Sequence, residues 1–226
     1  MTFNWASSGP GHFWSLAVEE HFYLFWPLLI YYLDKKGIVV ASIVIILLSL
    51  LVRIVLVNNH YEVFYLTFSR MDELAVGALL AILEINKKLT GENSNKFILL
   101  FVVVMVPTVA IWIANNSSGN RTLQVFKFIL LSLCYFSLIG YVITIKHSHI
   151  IKKFFSSSVL RFTGKISYGL YVYHPVSFVL FNRFIGSQTL LFNLVGSFVF
   201  AYAVATLSYY LFEQHFLKLK KRFSSN

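Results

Sequence analysis

The sequence predicts an all-α fold, a polytopic membrane bundle of about seven transmembrane helices, on the strength of three observations. Hydrophobic side chains make up 58% of the 226 residues and charged ones 12%, against about half and about a quarter in soluble domains. The mean hydropathy is +0.71. The apolar residues gather in continuous runs of roughly 20 residues, the length a helix needs to cross a hydrocarbon core of about 30 Å. These runs do not alternate, and each is near twice a barrel strand's requirement, so helices are expected rather than strands.

The runs occupy approximately residues 13–33, 38–57, 63–83, 97–114, 123–145, 166–185 and 189–212. No segment between them is long enough for a second domain, so residues 1–226 read as a single transmembrane domain. Lys and Arg number 19, and fourteen of them fall in one set of alternate segments: Lys35 and Lys36, then Lys87, Lys88 and Lys96, then Lys146 to Lys165, then Lys218 to Arg222. The opposite set holds only Arg121 and Arg183, while Arg53, Arg70 and Lys127 lie inside runs. Positive residues collect on the cytoplasmic side, which places the N-terminus outside and the C-terminus in the cytoplasm of a multi-pass cytoplasmic-membrane protein. Orientation and anionic inner-leaflet lipid then account for the net charge of +10, and no nucleic-acid partner is needed. One cysteine, Cys134, excludes an internal disulfide and any Cys-based zinc site.

A charge at the centre of a spanning helix costs about 2.5–3.5 kcal/mol, so charges within the runs need a reason. In the first run Glu19 and Glu20 fall roughly 9 Å below the outer boundary at the helical rise. Adjacent helix positions point about 100° apart, so at most one carboxylate faces lipid and the other must face the bundle. Phe13 and Trp14, just above them, suit an interfacial aromatic belt. In the second run Arg53 lies near the outer end, where its long side chain can snorkel to the interface.

The third run carries Arg70, Asp72 and Glu73 about two turns from the outer face. Arg70 and Glu73 stand three residues apart and can neutralise one another. Asp72 has no local cation and asks for a partner on another helix or a ligand. Gly77 and Ala81 read as a small-xxx-small ridge for close helix packing. The sixth run holds Tyr168, Tyr171 and His174, with His174 near the midplane. Pro175 removes a backbone donor and frees the carbonyl one turn back, close to that histidine. Lys218 to Arg222 anchor the tail at the inner leaflet, and His147 and His149 read as solvated. No Gly-rich phosphate loop, metal-spaced cluster or nucleophile elbow is present, so no metal is expected. The topology favours one outward-open pocket shared by the three polar groups.

The segments that carry these groups resemble the motifs of acyltransferase family 3, integral membrane proteins that O-acylate cell-surface sugars. Trp14-Ser15-Leu16-Ala17-Val18-Glu19-Glu20-His21-Phe22-Tyr23 is similar to the family's WSL-x-VEEQFY signature, with His21 in place of glutamine. Arg70-Met71-Asp72-Glu73-Leu74-Ala75-Val76-Gly77 resembles its R-x-D segment, and Ser167-Tyr168-Gly169-Leu170-Tyr171-Val172-Tyr173-His174-Pro175 its SY-x-x-Y-x-x-H segment. Leu207 to Glu213 resembles the closing motif, although Gln214-His215 replaces the customary basic residue and proline. Family members usually begin with further spanning helices, bearing an Arg-x10-His motif assigned to catalysis and an arginine motif linked to the acyl donor. Neither precedes Trp14. The expectation is an N-terminally truncated chain, a misassigned start, or helices supplied by another chain.

The resemblance implies transfer of an acyl group from acyl-CoA, as acetyl-CoA, to a hydroxyl of a cell-surface polysaccharide or glycolipid, with no bound cofactor. Catalytic work falls to Glu19, Glu20 and His174: the carboxylates position the acceptor and orient a base, and the histidine is a second base or a positioner. Trp14, Ser15, Arg70, Asp72, Glu73, Tyr168 and Tyr171 are the expected acceptor-binding residues. If the family's base is the absent histidine, the chain alone binds an acceptor and transfers nothing. Two other functions fit a charged membrane bundle. A carrier or channel predicts internal repeats or broken helices in matching halves, which the sequence does not show; a non-catalytic assembly subunit follows from the truncation.

Overall fold

A computed structural model describes residues 13–61, 63, 66–114, 121–187 and 189–223, which are helical with short connections and contain no strand. The described residues divide into two compact units, one within residues 13–152 and one within residues 153–223.

In the first unit, α1 (Trp14–Tyr32) tolerates Pro27 in its interior, and α2 (Lys35–Asn58) starts where the Asp34 carboxylate accepts the Gly37 amide at 2.7 Å. The buried residues of α2 are Ser42, Ser49, Arg53 and Val57, spaced by seven and four, so they form one stripe. Leu47, Leu48, Leu51 and Val55 are exposed. This helix turns its polar stripe to the protein and its aliphatic side outward, as lipid requires.

The third expected span, residues 63–83, is corrected. Its helix, α3, runs Met71–Ile85 and is preceded by a 3-10 turn at Thr67–Ser69. The Ser69 hydroxyl lies 2.5 Å from the Val63 carbonyl and 2.7 Å from that of Leu66, and such local side-chain bonds compete with a helical ladder. The late start puts Asp72 and Glu73 in the first turn, where carboxylates oppose the positive end of the helix dipole. α4 (Ser94–Ala114) packs on α5 (Arg121–Thr144), which also packs on α2 and α3. Lys152 donates to the carbonyls of Ile143 and Ile145 at 2.8 and 3.1 Å, satisfying groups left over at the end of α5. A short α6 (Ile150–Phe155) follows.

The second unit holds α7 (Ser158–Lys165), α8 (Ser167–Phe184), α9 (Leu190–Ser208), a π-helical turn at Tyr209–Glu213 and α10 (Gln214–Phe223). α8 and α9 pack along small buried residues, Gly169 and Ser177 on one and Ser197, Ala201 and Ala205 on the other, which lets two backbones approach closely. Among the described residues four helices are long and apolar enough to cross a membrane: Lys35–Asn58, Gly91–Ile113, Leu123–Thr144 and Leu190–Leu219. The remaining expected spans, those of α1, α3 and α8, are the shorter or less apolar ones, because they carry the polar motifs.

Candidate functional site

The polar residues of the first unit converge where α1, the turn at Thr67–Ser69, α3 and α5 meet. Arg70 closes the 3-10 turn and its guanidinium grips the Glu73 carboxylate with both arms, Nε to Oε1 at 2.8 Å and Nη2 to Oε2 at 3.1 Å. The Arg70 carbon Cζ lies 4.9 Å from the Trp14 ring centre and 3.9 Å from that of Phe128. A guanidinium against aromatic faces gains cation–π attraction, and the bidentate pair fixes its plane. Arg70 is 13% exposed and Glu73 34%, so the pair is held rigidly yet reaches open space. The expected pairing of Arg70 within its own helix turn is therefore made with Glu73.

Asp72 has a different partner. Arg53 donates from Nη2 to Asp72 Oδ2 at 2.6 Å and from Nη1 to Oδ1 at 3.3 Å, with Nη1 also 3.2 Å from the Ser69 carbonyl. Both side chains are 0% exposed. One expectation is corrected here. Arg53 does not snorkel, because it lies on the polar stripe of α2 that faces the protein. Asp72, expected to bind the acceptor, has its carboxylate enclosed and spanned by the Arg53 guanidinium at the start of α3.

Glu19 is partly buried and Glu20 exposed, the division that adjacent helix positions require. Neither carboxylate has a hydrogen bond or ion pair among the described residues. Next to them, His21 Nδ1 sits 3.2 Å from the Thr67 hydroxyl and ties α1 to the turn that ends at Arg70. Ser15 is partly buried on the first turn of α1.

Below Arg70 and Glu73 a cavity of about 330 Å³ opens between α3 and α5, with Gly77, Phe128, Ser132 and Tyr135 in its wall. Sequence reasoning missed the α5 residues, which look like ordinary residues of an apolar span; their spacing by four and three is what puts them on one face. Gly77, expected to pack against another helix, has nothing within 4 Å of where a Cβ would stand. It lines the cavity.

In the second unit, His174 Nδ1 lies 2.7 Å from the Tyr171 carbonyl. A carbonyl only accepts, so Nδ1 carries the hydrogen and Nε2 is the acceptor of the neutral ring. That carbonyl is the one Pro175 frees by lacking an N–H, as the motif predicts. His174 and Tyr171 border an apolar cleft of about 670 Å³ with Phe178, Phe198 and Tyr202. Tyr168 is 58% exposed and lies on the outside of its unit. In the closing motif the Ser208 hydroxyl is 3.3 Å from the Tyr173 hydroxyl and 3.4 Å from Glu213 Oε1. A Cβ on Gly169 would come within 2.9 Å of that same Glu213 oxygen, so glycine makes room for the carboxylate.

Comparisons with known proteins converge on one chemistry. The acyltransferase domain family (Acyl_transf_3) matches residues 1–212 and so runs through both units. A protein of Staphylococcus aureus (strain COL), provisionally named an O-acetyltransferase, is 32% identical over 186 residues, covering 74% of this chain and 30% of its own. The O-acetyltransferase OatA of Staphylococcus aureus (strain NCTC 8325 / PS 47) is 25% identical over 211 residues, covering 89% of this chain and 35% of its own. The chain thus spans about a third of the length of the curated relatives it matches. No solved structure matches it.

Proposed function

Because this chain belongs to the acyltransferase domain family, we propose that it carries out O-acyl transfer in the cytoplasmic membrane, moving an acetyl group from acetyl-CoA to a hydroxyl of a cell-surface polysaccharide or glycolipid. The relatives' names support the acetyl group. One observation carries the reading at the site: the Arg70–Glu73 pair is clamped between Trp14 and Phe128 within the fold of a matched motif. Such a fixed guanidinium with flat aromatic faces and a carboxylate suits a sugar, whose ring stacks and whose hydroxyls need charged or polar partners.

In the reaction the sugar oxygen attacks the thioester carbonyl, the C–O bond of the new ester forms and the C–S bond breaks. The hydroxyl proton leaves to a base and ends on the departing thiol. A sugar hydroxyl is a weak nucleophile at neutral pH, so that base must lie within hydrogen-bond reach. We assign Glu19 and Glu20 to acceptor positioning and to orienting the base. His174, whose Nε2 is the acceptor nitrogen, is a second base or a hydrogen-bonding positioner. Trp14, Ser15, Arg70 and Glu73 bind the acceptor, with Tyr168 and Tyr171 as further candidates; Asp72 acts only through Arg53 and the start of α3. The seven-span topology with the N-terminus outside and the C-terminus in the cytoplasm belongs to the same proposal.

The test is the amount of O-acetyl ester on surface polysaccharide with and without the gene, followed by complementation with Glu19→Gln. Loss of esters on deletion is expected, and the variant restores them at a rate lower by about a hundredfold or more while the protein still accumulates in the membrane. Unchanged esters on deletion refute the enzyme reading; full activity of Glu19→Gln removes Glu19 from the site.

A further inference from the structure

A packing glycine leaves no space behind it: a Cβ at Gly140 would stand 2.5 Å from the Phe97 ring. Gly77 does the opposite, since a Cβ there meets nothing within 4 Å although the residue sits in the wall of the cavity between α3 and α5. Glycine weakens a helix interior by about 1 kcal/mol relative to alanine, and Gly77 is exposed where it borders the cavity, so a larger side chain there would take up space along its open side.

The cavity is an elongated groove, open along Tyr135, which is 63% exposed, and along Leu131 and Ile139, and it is graded in polarity. Arg70 and Phe128, in contact at 3.9 Å, mark one end. Leu80 and Ile139 line it ten and eleven residues further along their helices, about 15 Å at the helical rise. Beyond the paired Arg70 and Glu73 its polar side chains are Ser132 and Tyr135, and the Ser132 hydroxyl already donates to the Phe128 carbonyl at 2.9 Å. A sugar ring buried there would leave most of its hydroxyls without partners, which is costly. A hydrocarbon chain leaves none. A cavity of about 150 Å³ lined by aliphatic side chains takes a benzene ring, so 330 Å³ has room for a chain well beyond two carbons.

We propose that this cavity is an acyl-chain subsite: it receives the hydrocarbon of the acyl group under transfer, with the carbonyl at the Arg70 end, and Gly77 sets the longest chain admitted. The proposal rests on the acyl-transfer reading above and extends its donor range past acetyl. Gly77→Leu projects furthest into the cavity, and Gly77→Ala takes a smaller step, its Cβ meeting nothing within 4 Å.

The experiment uses the whole gene product in its own membranes, with acetyl-CoA and hexanoyl-CoA as competing donors. A methylene more or less in an apolar pocket shifts selectivity by about tenfold or more, so the hexanoyl-to-acetyl rate ratio is expected to fall at least tenfold in Gly77→Leu and less in Gly77→Ala. In parallel, an octanoyl-CoA carrying a chain-terminal diazirine is photocrosslinked and the adducts mapped by mass spectrometry. Adducts on α3 and α5 that disappear in Gly77→Leu support the subsite. Acetyl transfer with no hexanoyl transfer, an unchanged ratio in both variants, or adducts elsewhere overturns it and leaves acyl transfer standing. Absence of any transfer overturns the reaction instead, and the adduct map then decides the cavity alone.

Discussion

Arg53 and Asp72 are 19 residues apart and close a contact of 2.6 Å with neither side chain exposed. Two charges buried together gain little over apolar residues of the same size, but one left alone is heavily penalised. Arg53→Met is therefore expected to cost about 3–5 kcal/mol, and adding Asp72→Leu to recover most of it. Thermal melts of the purified protein in detergent check this; a single variant that melts like the parent refutes a buried pair. Asp72 was legible in the sequence as a carboxylate in want of a cation, whereas Arg53 read as a side chain able to snorkel from the end of its span. Their mutual pairing was not legible, because the polar stripe of α2 tells which side faces inward but not which helix lies against it. Glu19 and Glu20 show the converse case. Their adjacency alone dictates that one turns inward, and Glu19 is the one that does.

At the scale of the element, periodicity locates helices but not where a polar turn interrupts them. The apolar run at residues 63–83 reads as one span, yet the hydroxyl of Ser69 draws two carbonyls to itself and the helix begins at Met71. That delay aims Arg70 across the turn at Trp14 and Phe128. In α8 the signal was stronger. A proline after a histidine frees a carbonyl one turn back, and His174 takes it at 2.7 Å. Pro175→Ala supplies a backbone N–H that competes for the Tyr171 carbonyl and releases the imidazole. The melting temperature is expected to hold or rise, since proline in a helix interior is unfavourable, while acyl transfer falls about ten- to a hundredfold through loss of orientation. A variant with unchanged transfer takes His174 out of the positioning role. The π-helical turn at Tyr209–Glu213, which brings Glu213 to Ser208 and beside Gly169, had no signature beyond the motif that contains it.

For the whole molecule the testable quantity is orientation. Cys134 is buried, so a cysteine introduced elsewhere reports by itself. Asn59→Cys, beyond the end of α2, is expected to react with a membrane-impermeant maleimide on intact cells, and Lys36→Cys only after the membrane is opened. The reverse pattern inverts the topology. The sequence by itself determined that the protein is an all-helical membrane protein, that its charges segregate by loop, that it belongs with the acyltransferases and that Glu19, Arg70 and His174 stand out. Those conclusions need only composition, period and motif, which are properties of neighbours along the chain. Tertiary structure decided that Asp72 is held by Arg53, that α5 contributes Phe128, Ser132 and Tyr135 to the site, and that Gly77 borders a cavity rather than a helix. Each of these depends on the rotation of one helix about its axis against another, and side chains tens of residues apart set that rotation by packing.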